Sequence, residues 1–247
     1  MTGRAAQGPS EIVLQRSGLV ARFAVEAADF SAMRALRDRA FPAQAGLADP
    51  FDARCRHLLV EGRNGTLLLA LRLMILPQGA DPARCYSAEF YDLRPLAALE
   101  GAALEIGRLC LAPGAPEAWE ALRLAWAALS RIADEEGAER LFGCASFQGG
   151  DPEAHRAALA VLAGARLIAL PHHPEAERVS FAGLAADVSP DPAGLPPLLR
   201  FYLSLGAQTS DHAVRDRQLD TLHVLTLVER ADMPMARGRS LRAMSSV

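Results

Sequence analysis

The chain of 247 residues contains no lysine: all 26 of its basic residues are arginine. Schiff-base and lysine-base chemistry are thereby excluded. Any anion site must be built from guanidinium forks, backbone N–H groups or both. Cysteine is scarce. Cys55, Cys85, Cys110 and Cys144 form no C-x-x-C pair and follow no secretory signal, so they read as reduced thiols of a cytoplasmic protein. No apolar run approaches the ~20 residues that span a bilayer. An excess of one charge is missing too. The 26 basic and 29 acidic residues leave a net charge of −3, which argues against nucleic acid as a partner. His172-His173 and Cys55-x-His57 are too sparse for a metal site, so no metal is expected.

What is present is a large apolar fraction, 51% of the residues, and a strongly patterned order of elements. Residues 1–17 are polar and read as a flexible N-terminal arm. "GLVARFAVEA" (18–27) reads as a first strand, and "DFSAMRALRDRAF" (29–41) as a helix ended by Pro42. Residues 57–76 are two strands around Asn64-Gly65, the strongest short hairpin signal. A strand at 105–112, a helix at 116–137, a strand at 139–147 and a helix at 151–164 follow. A helix at 196–207 and a strand at 220–229 complete the order. With no repeat and no convincing linker, residues 18–230 read as one α/β domain. Residues 231–247 read as a basic tail that contacts anionic lipid or a protein partner.

The candidate chemistry begins at "LEIGRLCL" (104–111), an apolar run holding Glu105 and Arg108. Buried charges need partners. In a regular strand these two would face opposite ways, so a bulge near Gly107 is expected to turn both toward one site. Glu105 is the candidate base for an attacking amine, with Arg108 orienting it; a structural ion pair is the alternative. Asp49 and Asp52 lie on a loop before the hairpin. They suit capture of an ammonium group, or else form a solvated turn. Arg72 interrupts an apolar strand and needs an anion, either a substrate carboxylate or one of these aspartates. Arg37 and Phe41 are candidates to line the same entrance. Cys110 and Cys144 read as small core residues, and Trp119 and Trp126, seven apart, as one buried helix face.

The order of these elements resembles the GNAT acyltransferases. The resemblance implies an α/β fold whose central mixed sheet is flanked by helices and splays between its fourth strand (105–112) and fifth strand (140–147). The pantetheine arm of an acyl thioester would enter that splay, beside Leu109, Cys110, Cys144, Ser146 and Phe147. "RDRAF" (37–41), "DPFDARCRHLLV" (49–60), Arg72, "EIGRLC" (105–110), "LFGCASF" (141–147) and "LPPLLRFYLSLGA" (195–207) recur in order. Together they resemble the N-acyltransferases that make lyso-ornithine lipid from a 3-hydroxyacyl carrier protein. The resemblance implies transfer of a (3-hydroxy)acyl chain to the α-amine of ornithine, with glutamine as the alternative acceptor.

No bound cofactor is implied; the phosphopantetheine arm arrives with the donor. "APGAPEAW" (112–119) has one glycine, two prolines and Glu117 where coenzyme A users need N–H donors for a pyrophosphate. It therefore favours acyl carrier protein, docked by arginines such as Arg123, Arg131 and Arg140. The amphiphilic product implies peripheral contact with the inner membrane. Acyl-homoserine-lactone synthases are similar but have a tryptophan that "PAQAG" (42–46) lacks. A non-catalytic domain that only binds carrier protein or membrane is the remaining alternative.

Overall fold

The computed structural model of the chain describes residues 11–42, 45–185, 187–217, 219–235 and 239. Contacts divide it into two units, residues 11–74 with 107–135, and residues 75–106 with 136–235.

The first unit is built on four antiparallel strands, β1 (Ile12–Arg16), β2 (Leu19–Phe23), β3 (Arg56–Glu61) and β4 (Leu67–Leu76, entering the second unit at Ile75). β1 corrects the expected loose arm. Ile12, Val13 and Leu14 extend along β2, and Ser17 and Gly18, both at positive φ, form the two-residue turn between them. Residues 1–10 lie outside the described residues, as does nearly all of the expected basic tail.

Helix α1 (Ala27–Ala40) starts two residues before the expected 29–41, because Glu26 caps it, paired in a capping box with Asp29. Arg22 fastens this end. Its guanidinium reaches Asp29 at 2.7 Å and Glu61 at 2.6 Å, joining α1 to β2 and β3. Met33 and Leu36 on α1 pack against Leu59, Ala70 and Cys110. Helix α3 (Ala118–Glu135) covers β1 to β3 and buries Leu122, Trp126 and Leu129. Trp119 departs from the expected buried pair. It sits in the first turn, beyond the covered stretch, and is 57% exposed.

In the second unit β5 (Ala102–Leu111, entering the first unit at Gly107) runs parallel to β6 (Ala138–Gln148), the ladder extending from Ala102↔Ala138 to Glu105↔Phe142. β11 (Thr221–Glu229) pairs antiparallel with all of β6 from Arg140 to Gln148. β10 (His212–Asp216) pairs antiparallel with β11 and β8 (Glu177–Ser180), and β9 (Gln208–Ser210) pairs antiparallel with β11 and parallel with β7 (Leu167–Ile168). Short helices α2 (Arg94–Ala97), α4 (Arg156–Ala163), α5 (Phe181–Ala185) and α6 (Pro197–Ser204) connect these strands. Gly143 has no alternative: a Cβ there would stand 2.1 Å from the Ile106 carbonyl oxygen. Parallel and antiparallel ladders together make the mixed α/β architecture that was expected.

Candidate functional site

The first unit holds a cavity of about 480 Å³. One face of α1 supplies much of its wall: Phe30, Met33, Arg34, Arg37, Asp38 and Phe41 follow one another at helical spacing. The loop at 46–53 supplies Leu47, Asp49 and Asp52, β3 supplies His57, and β5 supplies Arg108. The volume lies in the range of small-molecule sites.

Beneath the cavity three arginines hold two carboxylates. Asp49 stands 2.6 Å from Arg72 Nη1 and accepts a bond from Arg108 Nε at 2.8 Å. Asp52 accepts from Arg37 Nη1 at 2.6 Å and lies 3.6 Å from Arg72. Asp49 also accepts the backbone N–H of Phe51, which fixes the loop. Arg72 is 2% exposed and its guanidinium lies 5.3 Å from the Phe51 ring. Burial alone would raise the Asp49 carboxyl, but Arg72 and Arg108 outweigh it and hold the group below its ordinary value.

The aspartates assigned to an ammonium are thus counterions of arginine, and Arg72 has found the anion its position demands. Within this cluster three guanidiniums face two carboxylates. Arg108, 17% exposed, reaches the cavity wall.

His57 was dismissed with the metal candidates, yet it belongs to this site. It lies directly across the ladder from Arg72, its Nε2 faces the Asp52 carbonyl at 3.1 Å, and its Nδ1 faces Arg37 Nη2 at 3.5 Å. With Arg37 donating to Nδ1, the ring carries its proton on Nε2. Burial lowers its pKa, which keeps it neutral beside two arginines. Asp38 and Arg34 were missed as well. The i, i+3, i+4 continuation of the Arg37–Phe41 face was the available signal.

Arg108 itself is bent. Its φ of +52° is a left-handed conformation that a non-glycine residue adopts at a cost of about 1–2 kcal/mol. Glycine was expected to host the irregularity, but the left-handed residue is Arg108. Gly107 packs beside Arg72: a Cβ there would lie 3.4 Å from its guanidinium, an ordinary contact distance.

Glu105 belongs to the second unit and is 4% exposed. Its two oxygens accept the backbone N–H groups of Ser87 at 2.8 Å and Tyr86 at 3.2 Å. Cys144, whose thiol is 3.6 Å from Ser87 Oγ, shares its side of β6 with the exposed Ser146. Phe147 points the other way and is buried against His155. Cys110 is packed among Met33 and Leu36, where burial pushes its thiol up to about 11. Leu109 is half-buried. Of the five residues expected along a pantetheine arm, Cys110 and Phe147 are therefore core side chains, with only their backbones available.

The acetyltransferase (GNAT) domain family matches residues 30–126. Curated relatives named L-ornithine N(alpha)-acyltransferase include one from Brucella abortus (strain 2308), 30% identical over 253 residues. That match covers 88% of this chain and 86% of the relative. A second, from Rhizobium meliloti (strain 1021), is 30% identical over 252 residues, covering 91% of this chain and 85% of the relative. Among solved structures, FeeM, an N-acyl amino acid synthase from uncultured soil microbes, aligns with a TM-score of 0.53 at 12% identity, covering 89% of this chain and 97% of FeeM. The AHL synthase LasI aligns with a TM-score of 0.51 at 12% identity, covering 93% and 97%. At these identities the two structures share the fold, while the relatives match in sequence over nearly the full chain. The chain is an acyltransferase of GNAT fold and belongs to the family of the L-ornithine N(alpha)-acyltransferases.

Proposed function

We propose that the protein transfers a (3-hydroxy)fatty acyl group from acyl carrier protein to the α-amine of L-ornithine, forming a lyso-ornithine lipid. The observation that carries the acceptor side is the Arg108 guanidinium on the cavity wall. Arg108, braced by Asp49, presents a positive charge that matches one α-carboxylate. Phe30 and Phe41 offer apolar surface to the carbon chain of an amino acid. The amine must be neutral to attack, and Glu105 is assigned its proton. Each Glu105 oxygen already accepts one backbone N–H and keeps a second lone pair to receive the proton, directly or through water. No covalent enzyme intermediate is required, in keeping with a Cys110 thiol that burial keeps protonated.

The donor assignment rests on the start of α3. Pro113 and Pro116 have no N–H, and those of Ala115 and Ala118 turn inward to the carbonyls of Ala112 and Ala115. Two positions thus lack a donor and two more are engaged, and the Glu117 carboxylate repels a pyrophosphate. This supports a carrier-protein thioester over coenzyme A. Arg131 and Arg140 are engaged by Glu135 and Glu229, so they are weaker docking candidates. Among the described residues no helix is long and apolar enough to cross a membrane. Contact of the enzyme with the inner membrane is proposed from the amphiphilic product alone. Glutamine as acceptor, and homoserine-lactone synthesis, have less support: the curated relatives carry the ornithine name, and the likeness to LasI is one of fold.

The test is product identity. Purified protein is given 3-hydroxyacyl carrier protein with ornithine, glutamine, homoserine and S-adenosylmethionine in competition, and products are read by tandem mass spectrometry. Nα-acylornithine as the main product supports the reading. An acyl-lactone or acylglutamine as the main product overturns it.

A further inference from the structure

Asp38 stands apart from the arginine cluster. It follows Arg37 on α1, and a step of one residue turns about 100° around the helix, so the two side chains leave the wall in different directions. Its Oδ1 accepts the backbone N–H of Gly46 at 3.1 Å, which fixes the carboxylate at the cavity rim. Asp49 and Asp52 are consumed by Arg72, Arg108 and Arg37. Among the described residues no arginine pairs with Asp38. The cavity wall therefore carries the Arg108 guanidinium and, on Asp38, a carboxylate that pairs with no arginine among the described residues; Arg34, one turn before it on α1, lines the same wall but forms no ion pair with it. Phe30 and Phe41 add apolar surface to the same wall.

A molecule with a carboxylate at one end, an ammonium at the other and methylenes between matches this distribution. We propose that Asp38 binds the side-chain ammonium of the acceptor and is the residue that selects a diamino acid over a neutral amino acid of the same length. The inference rests on the ornithine reading above and extends it from the α-carboxylate to the far end of the substrate. A charged hydrogen bond there separates ornithine from its neutral analogues in kcat/KM; it contributes nothing to norvaline, which ends in a methyl group.

The experiment compares ornithine and norvaline as acceptors with the wild type, Asp38→Asn and Asp38→Ser, at saturating donor. Asparagine preserves an oxygen for the Gly46 N–H while removing the charge. The expected wild-type preference for ornithine is roughly 10–100-fold in kcat/KM, and it should collapse to within about 3-fold in both variants, through KM more than kcat. Equal losses on both acceptors, or a preference that survives, overturn the role of Asp38. A wild type with no preference overturns it even if neither variant folds. Failure of the ornithine reading itself looks different: the wild type then acylates neither compound.

Discussion

Replacing Asp49 by asparagine removes the charge that holds Arg72 and Arg108 while changing the shape little. Arg72 is buried, and its next carboxylate, Asp52, lies at 3.6 Å. Breaking one side of a buried pair costs about 3–5 kcal/mol. At roughly 2–4 °C per kcal/mol for a chain of this size, Tm should fall by about 6–20 °C. Asp52→Asn is the internal control. Its carboxylate is 24% exposed and makes one short pair, to Arg37. Its loss should cost about 1–2 kcal/mol, or about 2–8 °C.

The pH dependence has a defined sign. The Asp49 carboxyl is held below its ordinary 3.8. Its contribution is present above that value and disappears as pH falls through the lowered one, and Asp49→Asn should flatten this acid limb. Thermal melts from pH 2 to 7 and steady-state kinetics on the same preparations read both effects. Acceptor KM should rise more than donor KM. An Asp49→Asn protein that melts at or above Asp52→Asn would refute the reasoning, because the buried pair would then contribute less than the partly exposed one.

Glu105→Gln places an amide NH₂ against the backbone N–H of Tyr86 or Ser87, so Tm should fall along with a roughly 10²–10⁴-fold loss of kcat; wild-type kcat in the folded fraction would leave Glu105 a purely architectural role. Matched acyl thioesters of carrier protein and coenzyme A should differ by at least about 10-fold in kcat/KM, and equal values would remove the argument from the start of α3. In the second unit burial holds His223 near 4 instead of 6.5. The stability this represents, on the order of 3 kcal/mol, is complete above pH 6.5 and is lost as pH falls toward 4; His223→Phe should abolish that slope, and an unchanged slope would assign it to other groups.

What was readable in advance follows the strength of the local signal. The stripe Phe30, Met33, Arg37 and Phe41 has helical period, and Asn64-Gly65 marks a turn, so α1 and the β3–β4 hairpin lie within a few residues of expectation. β1 is legible only through Ser17-Gly18, a weaker turn signal, and the polar composition of residues 1–17 suggests a loose arm instead. β7 and β9, of two and three residues, are too short to show any period.

In the site, the need of Arg72 for an anion was readable because a charge in an apolar strand has few alternatives. His57 was not, because its importance arises from the fold: β3 pairing sets it opposite Arg72. Asp38 had a signal in its i, i+3 spacing to Phe41, but its bond from the Gly46 N–H is set by the fold. The left-handed φ at Arg108 has no sequence signature either, since the adjacent Gly107 is the more obvious host.

The claim that matters most is that the arginine cluster reads the acceptor's α-carboxylate, and a cross of enzyme and substrate tests it directly. Ornithine and ornithinamide, which lacks the carboxylate charge, are compared as acceptors with the wild type and with Arg108→Gln. The wild type should prefer ornithine by roughly 10–100-fold in kcat/KM, and Arg108→Gln should reduce that ratio to near one by losing activity on ornithine alone. An Arg108→Gln enzyme that keeps the full preference, or loses equally on both acceptors, would contradict it.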